Sequence, residues 1–178
     1  MQSVEVHGKV FNKSISGEKI LSVVDAMAAK LSLDYKGKVP LFLCVLNGSF
    51  MFAADLLKRY KGDCQISFIK LSSYLGTKTT EEVKTVIGLN EEIKGRHIII
   101  LEDIIDSGIT ITHLVKDLAR YEPESLKVAT LLLKPDALRT NIKPDYVGIE
   151  IPNDFIIGYG LDYNGFARNL PDIYKIAE

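Results

Sequence analysis

His97-Ile98-Ile99-Ile100-Leu101-Glu102-Asp103-Ile104-Ile105-Asp106-Ser107-Gly108-Ile109-Thr110 begins as an apolar strand and runs without a spacer into three carboxylates and a helical pattern. A buried strand gains nothing from ending in Glu-Asp-x-x-Asp, because the acids repel one another and hold their hydration. The strand is therefore expected to cover residues 97–101, with the acids beyond it. Their clustering points to a bound group that is cationic or rich in hydroxyls. The next residues have the opposite preference. Ser107, Gly108 and Thr110 supply hydroxyls and an open backbone at a helix N-terminus, where free N–H groups and the helix dipole favour phosphate. A sugar phosphate meets both demands.

Outward from this stretch, strand and helix patterns alternate. Apolar residues at 20, 23, 24, 27, 28 and 31 have helical spacing, and Leu41–Leu46 is a continuous apolar run of the kind found in strands buried on both faces. Phe50–Leu57 reads as a helix, and Gln65–Leu71 and Lys84–Leu89 as strands. A helix carries Ile111, Leu114, Val115 and Leu118 on one face and stops at Pro123. Leu126–Leu133 is a strand, with shorter ones at 146–149 and 155–158. The alternation predicts an α/β fold, a parallel, doubly wound sheet with helices on both faces. Ligands bind such sheets beyond the carboxyl ends of the strands. Asn47-Gly48, Glu102-Asp103 and Lys134 all fall at such ends.

The 178 residues suit one domain, and a hydrophobic fraction of 47% is enough for a real core. A net charge of −1 offers no electrostatic basis for binding nucleic acid or a membrane surface. The N-terminus lacks the layout of a signal peptide, and no apolar run is long enough to span a bilayer. Cys44 and Cys64 sit in apolar strand patterns and are expected to be reduced core thiols, in keeping with the cytosol.

The 97–110 stretch resembles the phosphoribosyl-pyrophosphate (PRPP) loop of the type I phosphoribosyltransferases. Further segments are similar to the 6-oxopurine branch of that family, in its order: Val45-Leu46-Asn47-Gly48, Ser73-Tyr74, Leu133-Lys134, and Phe155 to Tyr163 with Arg168 after it. The likeness runs from about Phe11 to Pro171. It implies Mg²⁺-dependent transfer of ribose 5-phosphate from PRPP to hypoxanthine or guanine, with release of pyrophosphate. A xanthine-preferring enzyme and a non-catalytic nucleotide sensor are the alternatives on the same fold. It also implies a single domain over 1–178, with a core of about 36–150 and a small hood from 1–35 and 151–178, and a homodimer or homotetramer.

The resemblance also assigns roles to residues. Glu102 and Asp103 would hold the ribose hydroxyls and, with Asp162, the metal. Asp106 would be the catalytic carboxylate, acting as a general base or as an electrostatic stabiliser. Its alternative is a helix N-cap. Asp106, Ser107, Gly108, Ile109 and Thr110 would bind the 5-phosphate, and Leu46, Asn47, Gly48 and Arg168 the pyrophosphate. Asn47 stands where the family commonly has lysine, so contact there would rest on the backbone. Lys134, a pure donor, would meet the purine 6-oxo group and disfavour adenine. Phe155 would stack on the base, and Ile156 and Asp162 would line its edge. Ser73 and Tyr74 would close a lid that excludes water.

Overall fold

The computed structural model describes residues 2–73, 83–87, 89 and 91–177. The chain opens with a hairpin, β1 (Ser3–Val6) and β2 (Lys9–Ile15), followed by helix α1 (Gly17–Asp34). Then come β3 (Leu41–Leu46), α2 (Phe50–Arg59), β4 (Gln65–Ser73), β5 (Val83–Ile87), β6 (His97–Ile105), α3 (Ile109–Ala119), β7 (Ser125–Leu133) and β8 (Tyr146–Glu150). Two short strands, β9 (Ile156–Ile157) and β10 (Ile173–Ile176), complete the chain.

The main sheet has the order β5-β4-β3-β6-β7-β8. Its strands are parallel except β5, which pairs antiparallel with β4 at the edge. Alternation along the central strands divides the core in two. Phe42, Cys44, Ile99 and Leu101 pack beneath α1 and α2, while Leu41, Leu43, Ile98 and Ile100 pack against α3. Helices thus cover both faces, as the apolar runs require. Burial of each such side chain contributes about 1.5–3 kcal/mol before the entropy of ordering it. From β3 the chain moves outward to β4, then returns to the other flank of β3 as β6. That reversal opens a crevice between the carboxyl ends of β3 and β6.

A second, antiparallel sheet of order β1-β2-β10-β9 forms the hood. The hairpin turn at His7 and Gly8 has φ of +50° and +72°, so both central residues are left-handed, as tight hairpins require. Although the sequence groups residues 1–35 with the hood, α1 buries Ile20, Val24, Met27, Ala28 and Leu31 in the main core. It belongs with α2 and the main sheet.

Two further expectations need correction. β6 continues through Glu102 and Asp103 to Ile105, because β7 keeps pairing with it after the register with β3 ends at Leu101. Cys44 is buried in β3, but Cys64 precedes β4 and is exposed. Both thiols are free.

Candidate active site

The crevice is built from glycine contacts. The peptide Leu46–Asn47, at the end of β3, is cis. The loop then tightens as Ser49 Oγ donates to Val45 O at 2.6 Å and α2 begins. A Cβ at Gly48 would fall 1.7 Å from Asp103 Oδ2, so the loop rests directly on that carboxylate. A Cβ at Gly160 would fall 2.0 Å from Gly48 O, so the segment before β10 rests in turn on the loop. Arg168 fixes this segment. Its Nη1 donates to Gly160 O at 2.7 Å, its Nη2 pairs with Asp162 Oδ1 at 2.6 Å, and its carbonyl accepts from Gly160 N at 2.9 Å. Asp162 Oδ2 also accepts from Gly165 N at 2.6 Å.

Glu102 and Asp103 are only 9% and 8% exposed. Burial, and then the charge of Asp103, push the Glu102 carboxyl well above its usual range. Burial also raises Asp103, against the opposing pull of its hydrogen bonds and of the Arg168 charge. Two adjoining buried acids whose ionisation is held back by burial are a place where a cation would favour the charged forms.

On the other side of β6, the backbone N–H of Lys134 donates to Ile105 O at 3.0 Å, which ties the end of β7 to the end of β6. Its buried ammonium reaches Asp106 Oδ2 at 2.9 Å and Asn153 Oδ1 at 3.4 Å. Asp106 itself is 53% exposed, so this pair opens to the crevice. Gly108, with φ +76°, is the N-cap of α3. Asp106 is therefore not the cap, and the alternative reading of it as a capping residue falls. Ser107 Oγ accepts from Ile109 N at 3.4 Å, and Thr110 lies exposed in the first helical turn. Phe155 is 47% exposed, and its buried side rests on Tyr163 and Phe11, with centroids 5.6 and 6.1 Å away.

The sequence profile described as the phosphoribosyl transferase domain matches residues 15–164. The chain belongs to the phosphoribosyltransferase family. A hypoxanthine-guanine phosphoribosyltransferase of Bacillus subtilis is 44% identical over 89% of this chain and 89% of its own length. A bifunctional TilS/HprT protein of Listeria monocytogenes is 41% identical over 94% of this chain, which spans only 26% of that protein. The crystal structure of a hypoxanthine-guanine phosphoribosyltransferase from Bacillus anthracis superposes with a TM-score of 0.89 at 40% identity, covering 93% of this chain and 98% of that one.

Within this phosphoribosyltransferase fold, the expected site residues fall into adjoining groups. Gly48, Asp103, Asp162 and Arg168 are joined directly or through Gly160, whereas Lys134 and Asp106 meet at the end of β7. Among the described residues, no three His, Cys, Asp or Glu side chains form a metal cage. Glu102 and Asp103 nonetheless suit Mg²⁺, a hard ion that takes one or two carboxylates and fills its shell with phosphate oxygens and water. Asp162 is committed to Arg168 and Gly165. Tyr74 of the expected lid lies outside the described residues, and Ser73 is described only by its backbone in β4.

The sequence reading missed three residues. Asn153 bonds the Lys134 ammonium, Gly160 packs on Gly48, and Tyr159 bonds Asp55 on α2 at 2.7 Å. Gly158-Tyr159-Gly160 lies within the Phe155–Tyr163 segment, where two glycines around an aromatic are the signal that could have found it. Asp55 is one polar residue on an amphipathic helix and carries no signal of its own.

Proposed function

We propose that this chain transfers the 5-phosphoribosyl group from PRPP to N9 of hypoxanthine or guanine, releasing pyrophosphate. The observation that carries this reading is the buried Glu102–Asp103 pair beneath Gly48, flanked by the Lys134–Asp106 pair at one switch-point crevice. Glu102 and Asp103 accept hydrogen bonds from the ribose hydroxyls and would hold Mg²⁺, whose charge would offset that of the pyrophosphate group. The start of α3, from Ser107 through Thr110, binds the 5-phosphate with its free N–H groups and hydroxyls. Leu46, Asn47 and Gly48 offer backbone groups to pyrophosphate, beside the forked guanidinium of Arg168.

Lys134 donates to the 6-oxo group, Phe155 covers one face of the base, and backbone at Ile156 reads its edge. As N9 bonds to C1, the C1–O electron pair leaves with pyrophosphate, and Asp106 accepts the proton lost from N7. Lys134 holds that carboxylate in place until then.

The protein works in the cytosol as a homo-oligomer. No helix among the described residues is long and apolar enough to cross a membrane. Ile66 and Phe68 lie exposed on the β4 face whose continuation over β3 is covered by α2, and Phe50 is exposed at the start of that helix. Such apolar surface suits a second copy, and sedimentation at several concentrations tests it.

The reaction is tested by mixing the protein with PRPP, Mg²⁺ and hypoxanthine, guanine, xanthine or adenine in turn. Inosine and guanosine monophosphates are expected, with adenine inert. Product mainly from xanthine would overturn the choice of base, and no product from any base would overturn the reaction.

A further inference from the structure

We infer that Asp55 and Tyr159 are positioning residues for the pyrophosphate end of the site, acting through one hydrogen bond between α2 and the hood segment. This rests on the assignment of Gly48 and Arg168 to pyrophosphate. Tyr159 has φ +48° and lies between Gly158 at +96° and Gly160 at +99°. Three successive left-handed residues need outside support to hold one conformation. The Tyr159 ring is 3% exposed, and its hydroxyl donates to Asp55 Oδ2 at 2.7 Å. Asp55 is itself steadied on α2. Its Oδ1 meets Lys58 at 2.8 Å and Arg59 at 3.5 Å, and Arg59 reaches across to Asp25 of α1.

The connection closes a ring. α2 begins directly after Gly48-Ser49, so Asp55 stands on the helix that anchors the loop after β3. From Asp55 the ring passes to Tyr159, then to Gly160, then back to Gly48 through the backbone contact. Arg168 hangs on the same ring through its two bonds to Gly160. Lys134 and Asp106, which face the base, are held elsewhere, by Ile105 and Asn153. Loss of the Tyr159 hydroxyl should therefore loosen pyrophosphate contacts and leave the purine contacts alone. Burial and the hydrogen bond to Asp55 raise the Tyr159 phenol, so the proton stays on it and the bond persists at working pH.

The test compares wild type, Tyr159→Phe, Asp55→Asn and the double variant. KM for PRPP and for hypoxanthine is measured, along with direct calorimetric binding of Mg-pyrophosphate. Tyr159→Phe is expected to weaken PRPP and pyrophosphate about three- to tenfold, the size expected for one charge-assisted hydrogen bond transmitted through backbone. KM for hypoxanthine should stay within about twofold, and the double variant should be no worse than the worse single one. A parallel rise in both KM values, an unchanged PRPP and pyrophosphate response, or additive losses would overturn the inference. Should Tyr159→Phe be insoluble, Asp55→Asn reads the same split, since it alters only the partly exposed acceptor on α2 and leaves the Tyr159 side chain whole. A wild type without turnover that still binds pyrophosphate in the Tyr159-dependent manner would strike down the reaction and spare this connection.

Discussion

Glu102 sits inside a strand, almost without water, beside a second acid. Its raised pKa has a stability consequence with a definite sign. Between the ordinary glutamate value and the raised folded one, the native state keeps a proton that the unfolded chain releases, so stability falls as pH rises across that window. In metal-free buffer containing EDTA, the melting temperature should drop from mildly acidic toward alkaline pH, and Glu102→Gln should flatten the slope while abolishing turnover. Calorimetric scans decide it, since an equal slope in the variant would remove Glu102 as the cause. Lys134 presents the opposite case, a buried cation made tolerable by Asp106 and Asn153. Lys134→Met removes the donor to the 6-oxo group and leaves Asp106 exposed enough to be hydrated. kcat/KM for hypoxanthine should fall about 10- to 100-fold, equivalent to about 1.5–3 kcal/mol, with a smaller gap between hypoxanthine and adenine. Steady-state assays on both bases check it, and an unchanged ratio would argue against contact with the oxo group.

At the scale of elements, α3 and the strand before it mark how far the sequence could be read. The apolar runs of β3, β6 and β7 and the periodicity of α1 and α3 were legible because sheet and helix periods leave distinct traces. The extension of β6 through Glu102 and Asp103 was not, since charge argues against strand while pairing with β7 decides for it. The β1–β2 hairpin went unread because its strands are short and mostly polar, although His7-Gly8 is the kind of pair that turns a hairpin. Of the site, residues adjacent in sequence could be read, whereas Asp55 and Tyr159 are joined only by the fold. The start of α3 yields a further prediction. Gly108 has φ +76°, and a Cβ there would lie 2.5 Å from Thr140 Oγ1 and 2.8 Å from Ile142 Cγ2. Gly108→Ala combines left-handed strain with a clash against the segment that wraps the helix start. It should destabilise by about 1–3 kcal/mol and raise KM for PRPP more than for purine. Urea denaturation and kinetics test the two halves separately, and a stable variant with normal PRPP use would show that the helix start can shift freely.

Across the whole molecule, the hood must be held at a fixed angle over the crevice, and Asp172 joins the two parts. It stands just before β10, where its Oδ1 accepts from Gly17 N at the start of α1, at 2.7 Å, and its Oδ2 pairs with Lys13 of β2 at 2.6 Å. The Tyr174 hydroxyl donates to it at 3.2 Å, and its carbonyl lies where a Cβ on Gly158 would be, 2.1 Å away. One carboxylate thus links β2, β10, the glycine turn and the N-terminus of a core helix. β10 pairs with β9, which follows Phe155 and contains Ile156, so a loosened Asp172 should be felt by the base. Asp172→Ala should therefore raise KM for hypoxanthine several-fold, about what loss of one helix-end carboxylate transmits, with PRPP less affected. That is the reverse of the pattern expected for Tyr159→Phe. Acid should act in the same direction. The Lys13 hydrogen bond, then that of Gly17, hold the Asp172 carboxyl below its usual range, so its contribution is present above the unfolded value and lost as pH falls through the folded one. Paired KM measurements on Asp172→Ala and Tyr159→Phe provide the decisive comparison. If both variants shift the same substrate, hood and crevice move as one body and the division of labour proposed for them is wrong.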